Sequence, residues 1–241
     1  MRRRAAQLLW LALAVQAAWL LLNVLVRHQS PGLDPTGTVI ALSVAGFALL
    51  HRRWRGAAVV VRIVMAVDFL LAVADRFGIL GPPGGPGVSW GDFSHFVGYT
   101  HTVAVFLPRA LAGPLAVLAT ITEGALGVAL LLGVRLRLAA LSCAALLSVY
   151  GVSMSISLPA AQQFHYNVFI LAAAMLALAT LRSPGTLTAD RWLARRHELA
   201  QPPRGAGGVR RVVSAGPRVA PSQVLLPRRI SSAVEQPPCK R

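Results

Sequence analysis

The sequence predicts an all-α protein, a polytopic membrane helical bundle. Three observations carry this. Of the 241 residues 55% are apolar, too large a share for an ordinary soluble domain. The apolar residues gather into runs that, at 1.5 Å per helical residue, approach or exceed the roughly 30 Å of a bilayer's hydrocarbon. The 24 basic residues, set against 8 acidic ones, fall mainly at the ends of those runs and in the C-terminal tail. The net charge of +16 is therefore read as a positive-inside pattern and not as a nucleic-acid-binding face. The expected partners are the lipid bilayer and its anionic headgroups; nucleic acid is not expected.

Taken in order, residues 5–26 follow Arg2, Arg3 and Arg4 and form the first run, too long past Trp19 and Leu22 for a cleaved signal. Residues 37–50 are the second, short for a span, introduced by a turn at Ser30-Pro31-Gly32 and closed by His51-Arg52-Arg53-Trp54-Arg55. Residues 57–75, 109–134, 136–158 and 166–181 supply four more. Six spans put both termini on one side, together with Arg52 to Arg55, Arg135, Arg137 and everything after Arg182. By the positive-inside rule that side is the cytoplasm, and the location is a cell membrane crossed several times.

Between the third and fourth spans, Gly81-Pro82-Pro83-Gly84-Gly85-Pro86-Gly87 cannot be helical and must loop. Asp92 then offers an N-cap for a short amphipathic helix with Phe93, Phe96 and Val97 on one stripe, and Trp90 and Tyr99 suit the headgroup level. Past residue 182 the chain turns to Arg, Pro and Gly without apolar periodicity, so disorder is expected beyond Arg196. A short basic surface helix anchored by Trp192 is expected at 190–199. The organisation is thus two N-terminal spans (1–56), a four-helix membrane domain (57–182) and a basic tail (183–241).

The candidate chemistry rests on the few charges inside the spans. Glu123 lies midway along the fourth, where an ionised carboxylate facing lipid would cost several kcal/mol, so it must face the bundle, pair or be protonated. Thr120, Glu123 and Gly127 share one helical stripe, the mark of a helix–helix interface. Asp68 and Asp75, seven residues apart, lie on one face of the third span, with Arg76 beside the second. Asp75 and Arg76 are expected to snorkel at the outer interface, and Asp68 to find a polar partner across the bundle or to share a proton with Glu123. His95, Tyr99, His101, His165, Tyr166 and Asn167 all fall on the outer side, where they could line a vestibule. No histidine pair has the tight spacing of a metal site, and no metal is expected. Cys143 and Cys239 cannot form a Cys-x-x-Cys pair, and nucleotide-binding and metalloprotease motifs are absent.

Several separated stretches resemble, in order, the DoxX family of small four-helix membrane proteins. Arg62-Ile63 resembles the opening of its first helix, and Asp68-Phe69-Leu70-Leu71-Ala72-Val73-Ala74-Asp75-Arg76-Phe77 the end of it. Trp90-Gly91-Asp92-Phe93 through Phe96-Val97-Gly98-Tyr99-Thr100 resembles its outer segment. Phe106-Leu107-Pro108, Thr120-Ile121-Thr122-Glu123 with Leu131-Leu132-Gly133, Ser153-Met154 and Tyr166-Asn167-Val168-Phe169 continue the likeness. It covers about half the chain and leaves out the first two spans and the tail. Where the family often has a lysine at the helix end, this chain has Arg76, which keeps the charge but cannot release a proton.

The resemblance implies a DoxX-like four-helix core and, from some relatives, a membrane subunit of a thiosulfate:quinone oxidoreductase. The function expected first is an accessory or scaffold subunit of a membrane redox complex, with a redox partner protein, no redox centre of its own, and room for a quinone between helices near Glu123. The alternative is a quinone-linked subunit in which Asp68 and Glu123 handle protons. A small-solute or proton transporter is the third reading, disfavoured because the four-helix unit has no inverted second copy.

Overall fold

A computed structural model describes residues 1–28 and 33–181, which are mostly helical, joined by turns and irregular loops, with no strand among them. The turn at 30–32, the surface helix expected at 190–199 and the disorder expected beyond Arg196 lie wholly or mostly outside the described residues. The elements are α1 (Arg3–Leu21, prolonged by a π-helical turn, Leu22–Val26), α2 (Pro35–Leu50), α3 (Gly56–Arg76), α4 (Phe93–Val103), α5 (Ala112–Leu132, opened by a 3-10 turn at Arg109–Leu111), α6 (Leu136–Ser157), α7 (Ala160–His165) and α8 (Val168–Ala179). Arg3–Val26, α3, Arg109–Leu132 and α6 are each long and apolar enough to cross a membrane. The apolar helices α2 and α8, with 16 and 12 residues, are shorter.

The shortest of these is also the most enclosed. Ten of the twelve residues of α8 are buried, so it is apolar on every side, as a helix surrounded by others must be. It packs against α1, α2, α3 and α6. Its run of alanines, Ala172, Ala173, Ala174, Ala177 and Ala179, lets neighbouring backbones approach closely where lipid supplies no hydrophobic drive for association. By contrast α1 exposes Leu8, Trp10, Leu11 and Val15 on a broad apolar face, as suits a helix against lipid.

The sixth expected span, 166–181, is a continuous helix over Val168–Ala179, shorter than expected and preceded by the separate short helix α7. Asn167 adopts a left-handed backbone (φ 56°) between α7 and α8, a conformation Asn tolerates better than most residues. Its Nδ2 donates to the Gly37 carbonyl at 3.0 Å, tying the start of α8 to the first turn of α2. That turn begins two residues before the expected run, with Pro35 at the first helical position and Asp34 Oδ1 accepting from the Gly37 amide at 2.6 Å. At the opposite end the Arg2 amide donates to Thr180 Oγ1, which closes α1 against α8. The bundle therefore has a basic end, with Arg2 to Arg4, Arg52 to Arg55, Arg135 and Arg137, and a loop end formed by 77–92, α4 and α7.

The expected irregular loop and amphipathic helix are both present. Asp92 caps α4, its carboxylate accepting from the His95 amide at 2.8 Å. Gly91 (φ 73°) is where the loop folds on itself: a Cβ there would lie 2.7 Å from the Pro82 carbonyl carbon and the Pro83 Cα, so no larger residue fits.

Candidate functional site

At the loop end of α3 two consecutive residues do different work. Successive helical side chains diverge by about 100°, so Asp75 and Arg76 cannot share a direction. Asp75 turns to the loop and accepts from three backbone amides, Ser89 (2.9 Å), Trp90 (3.0 Å) and Gly91 (3.2 Å). Arg76 turns into the bundle, where its Nη2 meets Glu123 Oε2 at 2.5 Å and its Nη1 donates to Thr120 Oγ1 at 3.0 Å. Its guanidinium lies over the Phe96 ring, 3.7 Å from the centroid, with Trp90 at 5.3 Å. Neither residue snorkels: Asp75 and Arg76 are 3% and 2% exposed. The reason is that α4 and the loop cover this end of α3, so the interface expected there is protein and not headgroups.

Glu123 completes the cluster. Its second oxygen, Oε1, accepts from the Tyr150 hydroxyl at 2.6 Å, so one carboxylate on α5 links α3 to α6. The stripe read from sequence is an interface: Thr120, Glu123 and Gly127 are all buried. Thr120 donates its own hydroxyl to the Ala116 carbonyl and is thereby oriented to accept from Arg76. A turn further along, a Cβ on Gly127 would lie 3.0 Å from Leu70 Cγ and 3.3 Å from the Ala66 carbonyl, so glycine permits the close approach of α5 to α3 that the ion pair needs. A charge pair this dry is sustained by its hydrogen bonds: the carboxylate has a donor on each oxygen, while Arg76 Nε is buried without a hydrogen-bond partner among the described residues.

Asp68 does not join Glu123 through a shared hydrogen bond. It is half-buried on α3, within electrostatic reach of Glu123 and Asp34, and makes no hydrogen bond or ion pair among the described residues. The carboxylate pair expected from sequence is replaced by the Arg76–Glu123 pair, because Arg76 at the helix end reaches back into the bundle.

Of the six residues assigned to a vestibule, Tyr99, His165 and Tyr166 lie together, while His95, His101 and Asn167 are engaged elsewhere or stand apart. His95 turns back on its own cap, with Nδ1 2.8 Å from Asp92 Oδ2, and is exposed. His101 lies half-buried on α4, and the His165 ring stacks edge-on against Tyr166. Tyr99 and Tyr166 bring their hydroxyls close enough to perturb each other, although Tyr99 Oη completes no hydrogen bond of good geometry. Asn167 is fully buried and faces α2. No group of three or more metal-ligating side chains occurs among the described residues.

Two participants were not singled out from sequence. Tyr150 carried the signal of a phenol inside an apolar span, whose hydroxyl must find a partner when buried. Gln16, in the first span, carried the same signal, and it donates from Nε2 to the Phe164 carbonyl at 3.0 Å beside the stacked rings of Trp19 and Phe164.

Chemically, the arrangement is a charge-neutral pair with hydroxyls at both margins and aromatic rings above it. It is suited to fixing three helices and a loop in one geometry. Comparison of the chain with protein-family models, with curated proteins and with solved structures finds no match.

Proposed function

We propose that this chain is a DoxX-like multi-pass protein of the cell membrane, with both termini in the cytoplasm, that serves as an accessory or scaffold subunit of a membrane redox complex. The observation behind the scaffold role is that Glu123, the carboxylate best placed to carry protons, has both oxygens engaged by Arg76 and Tyr150. A group so held joins helices; to relay a proton it would have to break the contacts that hold the bundle together. The redox setting rests on the sequence resemblance alone.

A second reading, a quinone-linked subunit, is favoured by Asp68, a half-buried acid with no hydrogen-bond partner among the described residues. In that reading Asp68 handles the proton and Glu123 stays structural.

Affinity purification in mild detergent, with mass spectrometry of co-purifying proteins and extracted lipids, separates the two. A scaffold brings down a stoichiometric partner and no stoichiometric quinone, and Asp68→Asn leaves the partner bound. A stoichiometric quinone lost in Asp68→Asn makes the chain a redox subunit. Recovery of neither partner nor quinone contradicts both.

A further inference from the structure

Charge is segregated along this bundle. The five acidic residues described, Asp34, Asp68, Asp75, Asp92 and Glu123, lie in or toward the loop end. The basic end carries Arg2 to Arg4, Arg52, Arg53, Arg55, Arg135 and Arg137, most of them exposed.

Within that end, the α2–α3 turn has a defined shape. The amides of Arg53 and Trp54 both donate to the Leu50 carbonyl, at 2.9 and 2.8 Å, so the chain reverses within a few residues. The Trp54 ring folds back over Gly56: a Cβ there would lie 2.6 Å from Trp54 Nε1, inside van der Waals contact, so glycine is what allows the ring its position. The ring is still 53% exposed. Arg52, Arg53 and Arg55, all exposed, flank it in the sequence, and α3, which has the length and composition of a membrane span, begins at the next residue. A half-exposed indole at the first residues of a span belongs at the headgroup level, and guanidiniums at that level meet lipid phosphates, which they can bind in a bidentate fashion.

We infer that the Arg52-Arg53-Trp54-Arg55 turn is a binding site for the headgroup of an anionic phospholipid in the leaflet at the basic end. Arginines supply the phosphate contacts and Trp54 packs along the glycerol and upper acyl region. The observation that commits the site to lipid is charge complementarity at the mouth of a span, where anionic headgroups are the surrounding phase.

The test uses the full chain, delipidated in mild detergent and titrated with dioleoylphosphatidylglycerol or dioleoylphosphatidylcholine, with bound lipid counted by native mass spectrometry. The site predicts preferential retention of phosphatidylglycerol, and a loss of about fivefold in that preference for each arginine neutralised. Arg52→Gln/Arg53→Gln/Arg55→Gln, checked for native helicity and monodispersity, should abolish most of it. Should the triple variant not fold, the three single substitutions decide, each expected to lose about fivefold. Equal retention of the two lipids by the unaltered chain overturns the site. So does a phosphatidylglycerol preference that survives substitution, which would place lipid binding on other basic segments.

Discussion

The two broadest helix–helix contacts in the bundle, α3 with α5 and α6 with α8, are held by opposite means. Between α3 and α5 lies a charge: Arg76 and Glu123, with Thr120 alongside and Gly127 admitting the close approach. Between α6 and α8 the buried residues are apolar and mostly small on the α6 side, Ala139, Ala140, Cys143, Ala144 and Gly151, and Gly151 is where the Phe169 ring seats: a Cβ there would lie 2.8 Å from its Cε1. Lipid tails are as apolar as these side chains, so burial alone does not hold either pair together. The first pair depends on electrostatic matching and the second on shape. They should therefore fail to different substitutions, one to loss of a charge and the other to added volume.

The largest effect is expected from Arg76→Ala, which leaves Glu123 buried without its cation. A loss of about 3–5 kcal/mol is expected, read as the shift in reversible unfolding in mixed micelles. A loss under about 1 kcal/mol would mean that water reaches Glu123 and that the α3–α5 contact does not rest on the pair.

Added volume in the other contact comes next. Gly151→Val should cost about 1–3 kcal/mol by pushing Phe169 off α6, in the same unfolding assay. If Gly151→Val were silent and Gly127→Val were not, shape would matter at the charged interface more than at the apolar one, and the contrast between the two pairs would be reversed.

Tyr150→Phe is smaller. It removes one donor from Glu123 while leaving Arg76 in place; a hydrogen bond to a charged group is worth about 1.5–3 kcal/mol, and the lower end is expected because Arg76 still pairs the carboxylate. A larger loss than that of Arg76→Ala would make Tyr150 the principal partner of the carboxylate.

Smallest is the pH response of the α4 cap, outside both contacts. The His95 amide, then the Ser94 hydroxyl and the His95 ring, hold Asp92 down at about 2. The folded value lies below the ordinary carboxylate range, so the cap contributes fully above about pH 4 and is lost as pH falls through about 2. Amide hydrogen exchange at Phe93 to His95 should accelerate over that window. Exchange that stays unchanged over that window would mean that the Asp92 carboxylate does not hold the start of α4.

Most of the helical frame was legible in the sequence because in a membrane protein apolar runs, turn residues and charges divide cleanly. The third, fourth and fifth expected spans end within a few residues of α3, α5 and α6, and Asp92 starts α4 as its side chain dictates. The Thr120–Glu123–Gly127 stripe was legible too, since it needs only helical periodicity. The partner of Glu123 was not. Arg76 is 47 residues away, and its position at a helix end reads as interfacial unless one knows that α4 and the loop fold over it. The same covering turned Asp75 from a surface acid into the anchor of the 89–91 backbone. The start of α8 near Asn167 was legible as the opening of an apolar run, but the left-handed backbone of Asn167 and its bond to Gly37 are tertiary facts that were not.

The most direct measurement is a double-mutant cycle on the charged contact: unfolding free energies of the unaltered chain, Arg76→Met, Glu123→Gln and the double variant. A buried ion pair that holds α3 to α5 predicts that the double variant is more stable than Arg76→Met alone, with a coupling of about 2 kcal/mol or more. Additive losses would contradict it, leaving Arg76 and Glu123 as two independent polar residues and the α3–α5 contact resting on Gly127 and the apolar side chains around it.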